Sequence, residues 1–171
     1  MFDLARFHAA QDSGHPSFAD ALRELRAGHK TSHWIWYVFP QLRGLGSSPM
    51  ATRYGLAGAD EAAAYARDPV LGHRLATAAA AVRAHVAADL PAPARLEHVM
   101  GSHIDAVKLV SSMTLFARVA RDANGDDPRP ELGTLVAHAD AILAAAAAQG
   151  YERCAFTEKQ LGPPSHRPRA R

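Results

Sequence analysis

The sequence predicts an all-α protein, a compact single-domain array of many helices, on three observations. Alanine fills 37 of the 171 positions, and alanine is the strongest helix former and poor strand material. Apolar residues recur at spacings of three and four through much of the chain, the period of a helix with one buried face. Between those stretches stand proline-containing helix starts and glycine helix ends. A chain of 171 residues can bury a proper core as one domain, and its 21% charged residues with ordinary aromatic content exclude wholesale disorder.

Taken in order, Phe2, Leu4 and Phe7 mark a short amphipathic helix. The acidic Asp3 and the lack of a signal-length apolar run predict no leader, and the cytoplasm as location. Phe18, Leu22 and Leu25 form the apolar stripe of a second helix that starts at Pro16-Ser17 and ends at Gly28. The run Trp34 to Phe39 is apolar on every side and reads as a buried short helix or a buried strand. In an alanine-rich chain the helix is preferred, with Thr31 or Ser32 as its cap and Pro40 as its exit. Gly44, Gly46, Ser47 and Ser48 make a loop, and Ser48-Pro49 opens a short helix to about Tyr54.

Gly58-Ala59-Asp60 opens another helix through Arg67. Asp68-Pro69 caps a long one with Val70, Leu71, Leu75, Val82 and Val86 on its apolar side, broken by Pro91 and Pro93. Arg95 to Met100 is a single turn. Ile104 to Ala120 carries a core stripe of Leu109, Met113, Phe116 and Ala120. Asn124 to Pro128 reads as a loop, and Glu131 to Gln149 as the last helix. The alanine run from Ala141 to Ala148 is too short and weakly apolar to span a bilayer, so no membrane association is expected. The expected organisation is a helical domain over 1–150 and a basic, disordered tail over 151–171.

The formal charge of +2 is concentrated in that tail, where Arg153, Lys159, Arg167, Arg169 and Arg171 face only Glu152 and Glu158. The rest of the chain holds 14 basic and 15 acidic residues. A nucleic-acid reader carries its positive charge on a folded face, so no nucleic-acid partner is expected. The single cysteine, Cys154, excludes an intramolecular disulfide and a multi-cysteine metal site. Of ten histidines, His29 and His33 are four apart, but a helix start falls between them and no zinc-protease motif is present. No metal and no cofactor are expected, and no nucleophile elbow supports serine hydrolase chemistry.

Three clusters carry candidate chemistry. The loop from Arg43 through Gly44, Gly46, Ser47 and Ser48 combines flexible glycines with hydroxyls at a helix start. Arg43 and Arg53 flank it, which suits a phosphate, although neither a Walker loop nor a dinucleotide fingerprint is present. Trp34 and Trp36, both tryptophans of the chain, lead into this loop through Gln41 and can stack a planar ring. Asp105, Lys108 and Ser112 fall on one helix face, a carboxylate, an amine and a hydroxyl suited to acid–base work when sheltered. The plain alternatives are a connector, core aromatics and a solvated ion pair.

The stretches DLARFHAAQD, LRAGHKTSHWIWYVFPQLRGLGSSPMATRYG, YARDPVLGHRL and MGSHIDAVKLVSSMTLF resemble a bacterial family of unknown function, sometimes labelled calpastatin, over most of residues 3–120. That resemblance implies a small, mainly helical single domain and brings no activity. Thr31-Ser32-His33-Trp34 and Ser47-Ser48-Pro49-Met50 also resemble pieces of the NAD- and ADP-ribose-associated N-glycosidases. His33 stands where that family has a glutamate, and its acidic-aromatic C-terminal motif is missing, so the resemblance implies a ligand class and not a catalytic set. The combined expectation is a site for a phosphorylated nucleotide or ADP-ribose-like molecule. Trp34, Trp36, Gln41, Arg43, Gly44, Gly46, Ser47, Ser48 and Arg53 would bind it, and Asp105 with Lys108 would act on it. The alternative is a helical protein-interaction module without chemistry; oligomeric state has no signal in the sequence.

Overall fold

The computed structural model describes residues 2–163, which form ten α-helices around one core. Helix α1 (Ala5–Ser13) is followed by α2 (Phe18–Arg26), which opens on a full capping box. The Ser17 side chain accepts from the Asp20 N–H, and the Asp20 carboxylate accepts from the Ser17 N–H. The aromatic run forms α3 (Ile35–Val38), so helix wins over strand. Its N-cap is Trp34 rather than Thr31 or Ser32, because the amides of those two residues turn away to the Glu24 carboxylate.

Ser48 caps α4 (Pro49–Tyr54), its Oγ accepting from the Ala51 N–H at 3.1 Å. Helix α5 (Ala59–Arg67) leads to α6 (Leu71–Val86), whose first amides, Val70 and Leu71, bond the Asp68 carboxylate at 2.9 Å each. Val70 was expected on the apolar side of α6 but is 40% exposed, since it precedes the first buried turn. One turn, α7 (Leu96–Val99), then precedes the central α8 (His103–Asp126). The stripe Leu109, Met113, Phe116 and Ala120 is fully buried. Helix α8 runs through Asn124-Gly125, expected to be loop, because the chain stays helical until Asp127 N–H closes on Ala123 O at 3.0 Å.

Helix α9 (Pro130–Ala148) packs along α8 and α6. By length and composition it is apolar enough to cross a membrane, but Leu132, Leu135, Ala139, Ile142 and Leu143 are buried in the core. It is not the last helix. Residues 155–161 form α10 (Ala155–Leu161), which packs on α8 with Thr157 fully buried, so the stretch after Gly150 is not uniformly a disordered tail. The rest of the expected tail, 164–171, lies outside the described residues. Among the described residues there is no strand. A single parallel bridge, Leu42 to Leu56, ties the stretch before the glycine loop to the stretch after α4 through Arg43 N–H to Leu56 O (2.8 Å) and Leu56 N–H to Gln41 O (2.9 Å).

Candidate functional site

The site begins at the reversal after α2. Gly28 adopts φ +77°, in the left-handed region, and turns the chain back across the helix end. The Glu24 carboxylate then gathers the returning segment: it accepts from the Thr31 N–H (2.8 Å), the Ser32 N–H (3.1 Å), the Ser32 hydroxyl and the Trp34 indole N–H (2.8 Å). Burial pushes this carboxyl up, but the bonds from Ser32, Thr31 and Trp34 outweigh it and hold it down at about 2. Glu24 therefore fixes the position of residues 30–34.

What that turn delivers is Lys30. Its N–H bonds Val99 O at 2.8 Å, and its side chain is only 5% exposed. The Lys30 ammonium lies 2.6 Å from Asp105 Oδ2, donates to Ser32 O at 2.6 Å, and sits 5.0 Å from the Trp34 ring centroid. Asp105 occupies the first turn of α8, where its N–H is capped by Ser102 and the helix dipole favours a carboxylate. Its Oδ1 meets Lys108 Nζ at 3.3 Å, and that ammonium stands 4.5 Å from the Trp36 ring centroid. One carboxylate thus serves two lysines, and the trio carries a formal charge of +1. Ser112, one turn beyond Lys108, is fully buried, and its Oγ has no hydrogen-bond partner among the described residues.

Trp36 joins this cluster to the glycine loop. The half-buried indole lines a recess with Gln41, Leu42, Leu45, Gly46, Ala51, Tyr54 and Gly55 whose volume is about 10 Å³, room for one water. Gly44 adopts φ +100° and stands against the Phe156 ring of α10: a Cβ at this position would lie 3.1 Å from Phe156 Cζ. Ser47 and Ser48 are exposed, the latter engaged as the α4 cap. Arg43 is exposed and reaches Gly55 O at 3.5 Å, while the Arg53 guanidinium lies 5.5 Å from the Tyr54 ring centroid. Of the expected binding residues, then, Trp36, Gln41 and Gly46 share one recess, and Lys108 stands over the Trp36 ring without lining it. Trp34 is a core residue at 0% exposure, with its N–H bound to Glu24 and its ring beside Lys30, so its faces are not open to a ligand.

Other clusters are less suited to chemistry. The rings of His29 and His98 lie tilted at 36° with centroids 4.9 Å apart on an open groove shared with His103, Arg95 and Glu97. Among the described residues no group of three or more histidine, cysteine or acidic side chains is arranged to hold a metal. Burial raises the Cys154 thiol, but bonds from Ser111 and Thr157 outweigh this and bring it below the ordinary value. Sequence reasoning missed Glu24 and Lys30. Their signal was present in outline: an acid on the second turn of a short helix and a lysine just ahead of an uncharged aromatic block.

These features define a helical domain with a sheltered lysine–carboxylate–lysine cluster beside a half-open indole and a glycine-serine loop. The chain belongs to the family described as a protein of unknown function, DUF1810, whose profile matches residues 1–127. A solved structure similar to it is the conserved hypothetical protein Rv1873 from Mycobacterium tuberculosis, 41% identical, covering 86% of this chain and 96% of that one with a TM-score of 0.62. No curated protein matches the chain.

Proposed function

We propose that this protein binds a phosphorylated nucleotide or ADP-ribose-like molecule where Trp36, Gln41 and Gly46 meet Lys108. The observation that carries the reading is the sharing of Asp105 by two ammoniums, Lys30 at 2.6 Å and Lys108 at 3.3 Å. A single carboxylate leaves one positive charge over in a site where solvent screens it weakly, and a phosphate supplies the missing anion. The half-buried Trp36 ring offers an apolar surface for a base or ribose. Arg43 and Arg53 are near the loop in sequence and exposed, so they suit a second phosphate. Asp105 and Lys108 form the acid–base pair for a hydrolysable ligand, with Lys108 the more exposed of the two lysines.

The test is a thermal-shift panel with NAD, ADP-ribose, AMP, GMP, phosphate and sulfate. A ligand at about 100 times its dissociation constant adds roughly 2.7 kcal/mol, a midpoint rise of several degrees for a domain of this size. A shift that is lost in Lys108→Met supports the site. The absence of any shift at millimolar ligand counts against it. One observation favours the interaction module as a second reading: Ile104 (67% exposed) and Val107 (43% exposed) stand one turn apart on α8 beside Lys108.

A further inference from the structure

We propose that a groove between α8, α9 and residues 150–158 binds a free basic amino acid, lysine or arginine, independently of the Trp36 site.

The groove has a volume of about 920 Å³, and small-molecule sites occupy roughly 300–1,000 Å³. A second hollow of about 350 Å³ adjoins it, and Arg121, Arg153 and Glu158 line both. Most of the lining comes from residues 140–158, past the stretch 1–127 that the family profile matches.

The charges here divide into those already matched and those left open. Asp140 holds Arg121 at 2.6 Å, and Asp122 holds Arg118 of the second hollow at 2.7 Å. Glu152, Arg153 and Glu158 have no ion pair and no side-chain hydrogen bond among the described residues. The groove therefore offers two carboxylates and one guanidinium. Their complement is a molecule with two cations and one anion, which is the charge set of lysine or arginine. A diamine leaves Arg153 unmatched, and an acidic ligand meets two like charges for each opposite one. The guanidinium fork suits the ligand carboxylate, and the two glutamates suit its ammonium and side-chain cation.

The apolar lining fits the remainder of the ligand. Leu143, Ala144 and Ala147 lie three and four residues apart on one face of α9, and both alanines are exposed. With the Tyr151 ring they leave an apolar strip on which a side chain of several methylenes can lie while its charged end stays at the rim. Exposed ion pairs are individually weak, so selectivity rests on the number and sign of the charges together.

The test is titration of the isotope-labelled full chain with lysine, arginine, leucine, glutamate and 1,5-diaminopentane, followed by amide chemical shifts. Lysine and arginine are expected to give saturable shifts at Ala147, Gly150 and Ala155, with a dissociation constant on the order of 1 mM for so small a ligand. Leucine, which lacks the side-chain cation, and the diamine, which lacks the carboxylate, are expected to bind at least about threefold more weakly. Glutamate is expected not to bind. Ala147→Leu fills the groove and is expected to weaken lysine binding at least about tenfold. Ala148→Leu, exposed on the same helix but outside the groove, is expected to leave it unchanged. Arg153→Gln is expected to weaken lysine roughly threefold and leave the diamine as it was, a coupling that a loss of folding does not produce.

The proposal is overturned by lysine shifts that fail to saturate at about 20 mM, far above the expected dissociation constant. Shifts centred on Trp36 and Lys108 overturn it too, as does equal binding of lysine, leucine and the diamine. A dimer in analytical ultracentrifugation that Ala147→Leu dissolves assigns the groove to a second copy of the chain and likewise overturns it.

Discussion

Glu24→Gln tests the hydrogen-bond network that positions Lys30. In the native protein the carboxylate accepts four bonds, from Thr31, Ser32 twice, and Trp34. Its pKa falls from an ordinary 4.5 to about 2, and at about 1.4 kcal/mol per unit that drop corresponds to a ceiling of about 3 kcal/mol. Glu24 is only half-buried, so solvent screening brings the expected loss to about 2 kcal/mol. For a domain of this length such a loss lowers the melting midpoint by roughly 4–8 °C. The sign with pH follows from the depressed value. The stabilisation is complete above pH 4.5 and fades as pH falls toward about 2. The gap between wild type and Glu24→Gln is therefore full at neutral pH and closes in acid. Urea denaturation at a series of pH values, read by circular dichroism and by tryptophan fluorescence, measures it. A difference below about 0.5 kcal/mol at neutral pH, the range of ordinary surface substitutions, refutes the reasoning. So does a difference that stays constant down to acid pH.

Further outcomes follow from the same geometry. Asp105→Leu leaves the Lys30 ammonium, 5% exposed, without its counter-ion and is expected to cost roughly 3–5 kcal/mol in urea denaturation. Adding Lys30→Met recovers most of that loss. Ser112→Ala removes a buried hydroxyl that has no partner, so stability holds or rises by up to about 1 kcal/mol. Gly101→Ala places a Cβ 2.4 Å from Lys30 O at φ +77°, and calorimetry is expected to show a loss of at least about 2 kcal/mol from combined strain and clash.

Much of the fold was legible because its signals are local. The Ser17 capping box, Ser48-Pro49, Asp68 before α6 and the Leu109–Ala120 stripe are each written within one or two helical turns. Where the reading failed, tertiary packing overrode a local signal. Asn124-Gly125 reads as a turn, yet α8 continues through it before the chain turns into α9. The stretch after Gly150 looks like a charged tail, yet Phe156 abuts Gly44, Thr157 is buried, and the Cys154 N–H donates to Thr114 Oγ1 on the body 40 residues away in sequence.

The candidate site divides in the same way. Asp105 and Lys108, three apart on one helix, were readable as a pair from spacing alone. Lys30 and Glu24 come from a different part of the chain, and no period in the sequence announces that a glycine turn held by Glu24 will bring Lys30 to α8. The role of Trp34 was misjudged for a related reason. Two tryptophans two residues apart look equivalent on paper, but only Trp36 points to the recess, while Trp34 is sealed by Glu24 and Lys30.

The central claim is that the charge left over on the lysine–carboxylate–lysine cluster binds a phosphorylated ligand beside Trp36. Calorimetric titration of ADP-ribose into wild type and Lys108→Met measures this most directly, repeated at two salt concentrations. The account predicts saturable binding that weakens at least about tenfold in Lys108→Met and weakens further with salt, because the contact is between a partly exposed ammonium and a phosphate. Equal affinity in the two proteins, or no heat at millimolar ADP-ribose, would contradict it.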